Sequence, residues 1–130
     1  MYVIYFIVAA ILSFSTPTKE VKIDSIDPII EALDRGSSSE LAQYFDSSIQ
    51  LNLNGKQGSY SRSQAEQVLK EFFRKNPPNS FAVVYSSQKN TSINSYVGNY
   101  QSLNRAFKVF LKVSERNDSL KLYSLEFVAG

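Results

Sequence analysis

The order in which two apolar periodicities follow each other is the feature that most constrains the fold. An amphipathic helix is predicted over residues 61–75, where one helical face carries Ala65, Val68, Leu69, Phe72 and Phe73. The pair Pro77-Pro78 ends this helix. After it the period changes to two, which predicts four strands over residues 81–86, 95–100, 106–113 and 120–128. Helices that precede an antiparallel meander predict an α+β domain, with the helices on one face of the sheet.

Two shorter helices are predicted before the long one. Pro28 fits only the first turn of a helix, and Gly36 is a typical residue just past its end. Ser37 and Glu40 then have the spacing of a capping box, which predicts a second helix running to about Asp46. Two helices joined at a glycine form a helical hairpin.

Turn chemistry predicts two β-hairpins. Residues 48–53 alternate as a half-buried strand, and Asn54-Gly55 is a strong hairpin signal that returns the chain through residues 57–60. Asn117-Asp118 indicates a second hairpin turn. The next helix can be capped either by Ser61 with Gln64 or by Ser63 with Glu66.

The last predicted strand changes its parity. Leu120 and Leu122 share one face, whereas Tyr123, Leu125 and Phe127 share the other. Either both faces of this strand are covered, or a bulge lies near Tyr123.

The N-terminal segment has the pattern of an export signal. Residues 2–14, YVIYFIVAAILSF, carry no charge, and the run is shorter than the roughly 20 apolar residues of a membrane-spanning helix. We expect residues 1–15 to be a signal peptide, 16–23 a linker and 24–130 a single domain in the periplasm or cell envelope. No Lys or Arg precedes the apolar run, so a weak anchor or a buried N-terminal strand remains an alternative.

The composition removes most common catalytic machinery. The chain has no His and no Cys, which excludes Ser-His-Asp and Cys-His catalysis and most zinc sites. Its formal charge of +2 is too small to imply a polyanionic partner. We therefore expect no metal, no cofactor and no nucleic acid.

The order of elements, with residues 29–78 as the most distinctive part, resembles the nuclear-transport-factor-2-like (cystatin-like) superfamily. The likeness covers roughly residues 24–128 and is strongest to a family of small exported bacterial domains without an assigned function. It implies a cone, in which a curved antiparallel sheet wraps around the long helix at residues 61–75. Superfamily members include isomerases, dehydratases, ligand-binding proteins and association modules, so the fold leaves function open. Its enzymes commonly place an Asp, a His or a Tyr inside the cone. This chain has no His and no Asp in the middle of a predicted strand, a departure from the family pattern that argues against an enzyme.

The tetrapeptide Gly55-Lys56-Gln57-Gly58 fits no phosphate-binding template. A Walker loop needs Ser or Thr after the lysine and a further glycine where Gln50 stands. A dinucleotide fingerprint needs three glycines, and the RNA-clamping GxxG loop joins two helices rather than following a strand. Turn chemistry alone explains both glycines.

The remaining candidates for a site are one acid and a set of tyrosines. Glu126 lies in the middle of a strand, where it would be a general acid or base if it pointed into a dry cone. The alternative is an outward carboxylate beside Lys108 or Lys112. Tyrosines can line a partly apolar pocket, although they are also ordinary core residues. The candidate ligand-binding set is Tyr44, Tyr85, Tyr96, Tyr100, Tyr123 and Glu126.

The sequence therefore favours an exported, non-enzymatic domain that binds a small apolar ligand or a protein partner, including a second copy through the sheet face. The alternative is a cofactor-free acid/base enzyme that uses Glu126 and a tyrosine of the cone. Lys108, Phe110 and Lys112 are too few to predict single-strand binding. Contact with a membrane is expected only through the N-terminal segment.

Overall fold

The computed structural model describes residues 26–88 and 92–130. The predicted signal peptide and linker lie outside these residues. The order of helices and strands is the predicted one. The elements are α1 (Asp27–Arg35), α2 (Ser38–Ala42), β1 (Phe45–Leu53), β2 (Lys56–Ser61), α3 (Arg62–Lys75), β3 (Pro78–Gln88), β4 (Ile93–Ser102), β5 (Ala106–Arg116) and β6 (Ser119–Ala129).

The six strands form one curved, unclosed sheet in the order β2-β1-β6-β5-β4-β3. The last four strands are the predicted antiparallel meander. β1, however, runs parallel to β6, with Leu51 beside Leu125, so the sheet is mixed rather than wholly antiparallel. The α+β class is confirmed, and the parallel pair places the β1–β2 hairpin against the final strand of the meander.

The helical hairpin is shorter than its sequence indicates. α1 has its proline in the first turn and ends at Gly36, whose φ of 68° is the left-handed conformation that glycine favours. The Oγ of Ser37 accepts a hydrogen bond from the backbone N–H of Glu40, as predicted. The prediction that α2 reaches Asp46 is wrong, because Phe45 is buried and already pairs with Leu122 of β6.

The tetrapeptide that could have suggested a phosphate loop is a hairpin corner. Asn54 and Gly55 have φ values of 54° and 100°, and they join Leu53 directly to its partner Lys56. Two residues with positive φ are the requirement of a two-residue turn that matches the twist of the strands. The turn interpretation is confirmed, and the rest of the tetrapeptide belongs to β2.

A capping box starts α3. The backbone N–H of Gln64 donates to Ser61 Oγ at 3.3 Å, and the backbone N–H of Ser61 donates to Gln64 Oε1 at 3.2 Å. Of the two caps that the sequence allows, the structure uses Ser61 and Gln64. The apolar face of α3 packs against the sheet, with Ala65, Leu69 and Phe73 buried and Val68 and Phe72 partly buried.

A bulge at Tyr123 corrects the parity of β6. Lys112 lies opposite Ser124, while the next residue of β5, Val113, lies opposite Leu122, so Tyr123 is the extra residue. This shift turns both apolar sets to the same side, and the buried residues are Leu120, Leu122, Leu125 and Phe127. Of the two alternatives that the sequence leaves open, the structure has the bulge.

The sheet has an inner face toward the helices and an outer face away from them. On β5, Val109 and Leu111 are buried at the inner face, whereas Lys108, Phe110 and Lys112 lie on the outer face. An aromatic cluster fills the space between α3 and the inner face, with ring centroids 4.5–6.3 Å apart. Its members are Phe72, Phe73, Tyr100, Phe107 and Phe127. Side chains therefore fill the interior of the cone where this aromatic cluster lies.

Candidate functional site

An open cavity of about 460 Å³ lies beside the aromatic cluster, and we name it the mouth pocket. It lies between the turn of the β1–β2 hairpin and the C-terminal half of α3. The capping box fixes where α3 begins, and the Asn54-Gly55 turn fixes how far the hairpin extends beside it. The lining residues are Leu53, Asn54, Lys56, Val68, Glu71, Phe72 and Lys75.

The mouth pocket has an apolar floor. Leu53, Val68 and Phe72 are partly buried and pack against the core. The ring of Phe72 lies 4.5 Å from that of Phe127 and 5.4 Å from that of Phe107, measured between centroids. Because these neighbours hold the ring in place, the floor of the mouth pocket is rigid.

The rim of the mouth pocket is charged. Glu71 accepts hydrogen bonds from Arg74 at 2.5 and 3.1 Å, and its Oε2 lies 3.9 Å from Lys75 Nζ. The hydrogen bond from Arg74 holds the pKa of the Glu71 carboxyl below its ordinary value. Since Arg74 balances this carboxylate, Lys56 and Lys75 leave an excess of positive charge at the rim.

A second open cavity continues the mouth pocket along α3. It has a volume of about 450 Å³ and is lined by Tyr60, Ser63, Gln64, Gln67 and Val68. Val68 borders both cavities, so together they form a groove between β2 and α3.

The structure places Tyr100 in the core. Its side chain is fully buried in the aromatic cluster, and its hydroxyl donates to the backbone carbonyl of Asn76 at 2.5 Å. Burial raises the pKa of the Tyr100 phenol. The hydroxyl therefore ties the C-terminus of α3 to β4.

The other tyrosines of the candidate set lie apart from one another. Tyr44 and Tyr96 are half-buried against the core, and Tyr123 is the bulged residue of β6. Tyr85 is 61% exposed, opposite Val97 in the register of the sheet. A binding role for these residues stays a prediction, and the structure does not gather them into one pocket.

Glu126 does not point into the cone. It alternates with the buried Leu125 and Phe127 and therefore lies on the outer face, half-buried. Its Oε2 accepts a hydrogen bond from Asn52 Nδ2 at 3.2 Å. Its neighbour on β5 is Phe110, so Lys108 and Lys112 lie one pleat away on either side rather than beside it.

The residues that form the mouth pocket were missed because each has an ordinary structural explanation in the sequence. Val68 and Phe72 belong to the apolar stripe of α3, and Leu53 ends an alternating strand. No signal in the sequence separates these residues from an ordinary core-facing stripe, because their spacing is that of any helix that packs on a sheet.

Two further classes of site can be checked directly. Within residues 26–88 and 92–130, no three Asp or Glu side chains are grouped closely enough to hold a metal ion. None of the helices described in those ranges is long and apolar enough to cross a membrane.

The comparisons with known proteins agree with this architecture. The family model described as "Domain of unknown function (DUF4783)" matches residues 26–127. A DUF4783 family protein from Bacteroides ovatus is similar with a TM-score of 0.77 at 21% identity, over 82% of this chain and 96% of that one. No curated protein matches the chain.

More distant structures share the fold as well. A domain of unknown function with a cystatin-like fold from Nostoc punctiforme has a TM-score of 0.65 at 14% identity, covering 80% of this chain and 72% of that one. An NTF-2-like protein of unknown function from Silicibacter pomeroyi has a TM-score of 0.61 at 17% identity, covering 81% and 89%. The resemblance to the nuclear-transport-factor-2-like superfamily is confirmed, and at these identities it concerns the fold alone.

Proposed function

Because this chain belongs to the DUF4783 family, a domain of unknown function, we propose its function from its own surface: it binds a small, partly apolar ligand in the mouth pocket. The supporting observation is a cavity of about 460 Å³ whose floor is apolar and whose rim is charged. This volume lies within the range of small-molecule sites, which typically combine apolar walls with a few polar groups.

The apolar floor and the charged rim of the mouth pocket indicate the chemistry of the ligand. An apolar body would lie against Phe72 and Val68, and an acidic group would face Lys56 and Lys75. Lysine is a point charge on a flexible stem, so it suits a carboxylate, sulfonate or phosphate without demanding one geometry.

Binding of anilinonaphthalene sulfonate, an anionic aromatic probe, tests this proposal on the folded protein. Val68→Gln should weaken binding several-fold because it places an amide on the floor. Val128→Gln, on the exposed outer face, is the matched control and should leave binding unchanged. Near-ultraviolet circular dichroism should show that both variants remain folded.

The charged rim is tested separately with Lys75→Ala. This change should weaken binding of the sulfonate and leave binding of the neutral analogue N-phenylnaphthylamine unchanged. Lys70→Ala, on the same helix but away from the pocket, should affect neither probe. If Val68→Gln and Lys75→Ala both bind the probes like the wild type, the ligand site is not the mouth pocket.

A second candidate function is association with another copy of the chain through the part of the outer face that β3 and β4 form. A register shift between Val83 and Tyr85 leaves Val84 unpaired as an extra residue of β3. Val84 is 56% exposed, and Tyr85 beside it is 61% exposed. Together with Val97 they form the kind of apolar patch that marks interaction sites. Sedimentation velocity should show a concentration-dependent dimer that Tyr85→Asp abolishes, and a wild type that stays monomeric at every concentration would refute it.

We also propose that the protein acts in the periplasm or cell envelope after removal of residues 1–15. The uncharged apolar run over residues 2–14 supports this. N-terminal sequencing of protein from the cell envelope should begin after Ser15. Recovery of the chain with its N-terminus intact in the cytoplasm would contradict it.

A further inference from the structure

We propose that the outer face carries a second binding site, for a neutral polyhydroxyl ligand the size of one sugar ring. The site is a depression of about 200 Å³ on β2, β1 and β6, which we name the polar shelf. Its side chains are Gln50, Asn52, Gln57, Ser124 and Glu126, with Leu51 and Leu125 completing the lining.

The parallel pairing of β1 with β6 builds the polar shelf. Asn52 lies between Glu126 on β6 and Gln57 on β2, and Gln50 lies beside Ser124. Neighbouring strands are about 4.8 Å apart. Five polar side chains from three strands therefore point outward over one small area.

A chain of hydrogen bonds orients the carboxylate of the polar shelf. The backbone N–H of Gly55 donates to Asn52 Oδ1 at 2.8 Å, which directs Asn52 Nδ2 to Glu126 Oε2 at 3.2 Å. Both polar atoms of the Asn52 amide thus form a hydrogen bond, and one of these bonds fixes Oε2 of Glu126. The other oxygen, Oε1, is left to accept from a ligand.

The remaining side chains of the polar shelf can form hydrogen bonds with the hydroxyl groups of a ligand. The side chains of Gln50, Gln57 and Ser124 form no hydrogen bond with another residue in the part of the chain that the structure describes. Amides and hydroxyls both donate and accept, as an alcohol group requires of its partners. A carboxylate accepts hydrogen bonds from hydroxyls more strongly than a neutral group does.

The charges around the polar shelf favour a neutral ligand. Glu126 repels anions, and Lys112, opposite Ser124, opposes the binding of a cation. The depression has a volume of about 200 Å³, which is enough space for one sugar ring.

Amide chemical shifts of the whole protein, followed in NMR titrations, test this site. The probes are the methyl glycosides of glucose, galactose and mannose, with glucuronate as an anionic comparison. At least one neutral glycoside should cause saturable shifts at Gln57 and Ser124, with millimolar affinity, and glucuronate should bind several-fold more weakly. Glu126→Gln should reduce that discrimination, because it removes the repelling charge while keeping the shape.

Matched variants separate this site from the mouth pocket. Gln57→Ala should weaken glycoside binding several-fold, whereas Gln101→Ala, at an exposed outer-face position on β4, should not. Val68→Gln in the mouth pocket should also leave it unchanged, so either proposal can fail alone. The proposal is overturned if no glycoside gives saturable shifts, if Gln57→Ala binds like the wild type, or if the shifts centre on Phe72.

Discussion

Replacing Tyr100 with phenylalanine should lower the free energy of unfolding by about 1–2 kcal/mol at neutral pH. The ring would keep its contacts with Phe72, Phe73, Phe107 and Phe127, so no large cavity forms. The loss comes from the hydroxyl, which donates to the Asn76 carbonyl at 2.5 Å. Without it that carbonyl, just past the C-terminus of α3, loses a buried partner.

The same substitution should flatten the response of stability to alkali. Burial raises the pKa of Tyr100 in the folded state above its ordinary value of 10.0. The neutral phenol therefore stabilises the fold fully below about pH 10. This stabilisation is lost as the pH rises further, by at most about 1.4 kcal/mol per pH unit for one proton. Tyr100→Phe has no proton to lose at this position and should lack this part of the slope.

Urea unfolding followed by far-ultraviolet circular dichroism, at neutral pH and above pH 10, measures both effects. Thermal unfolding at neutral pH should show a Tm lowered by about 5–15 °C. Tyr85→Phe is the matched control, because Tyr85 is 61% exposed and lies outside the buried aromatic cluster. A Tyr100→Phe variant as stable as the wild type at neutral pH, or one with an unchanged alkaline slope, would refute the reasoning.

Two substitutions test the packing and capping that position the sites. Gly98→Ala should cost about 1–3 kcal/mol, because its Cβ would lie 2.5 Å from the ring of Phe81; a midpoint in urea equal to that of the wild type would contradict this close approach. Ser61→Ala should cost about 1 kcal/mol by removing the cap of α3, and Ser63→Ala should cost less than half of that. If thermal unfolding showed equal losses of stability for the two variants, Ser61 and Ser63 would both contribute to the cap of α3.

The elements that could be predicted from the sequence depend on neighbours in the chain. The Asn54-Gly55 turn needs two residues that accept positive φ, and the start of α3 needs a serine three residues before a glutamine. The bulge at Tyr123 could be predicted because an apolar strand that changes parity has few other ways to bury both sets. Each of these signals is complete within a few residues.

What could not be predicted depends on residues far apart. Nothing near Phe45 in the sequence shows that it pairs with Leu122, so the local pattern predicts a longer α2 than the structure has. The hydrogen bond that orients Glu126 could not be predicted, because its partner Asn52 lies on β1, 74 residues earlier in the chain. The mouth pocket likewise exists only because the hairpin reaches α3 without covering Phe72.

The parallel contact between β1 and β6 also has a consequence for the time course of folding. Asn52 and Glu126, which meet across it, are 74 residues apart in the chain. Closing so long a loop is slow, and the β1–β2 hairpin exposes Ile49 and Leu51 until the final strand arrives. During synthesis this hairpin therefore waits longest for its partner and is the segment most exposed to aggregation. Pulse-labelling hydrogen exchange should accordingly protect the amides of β4 and β5 before those of β1.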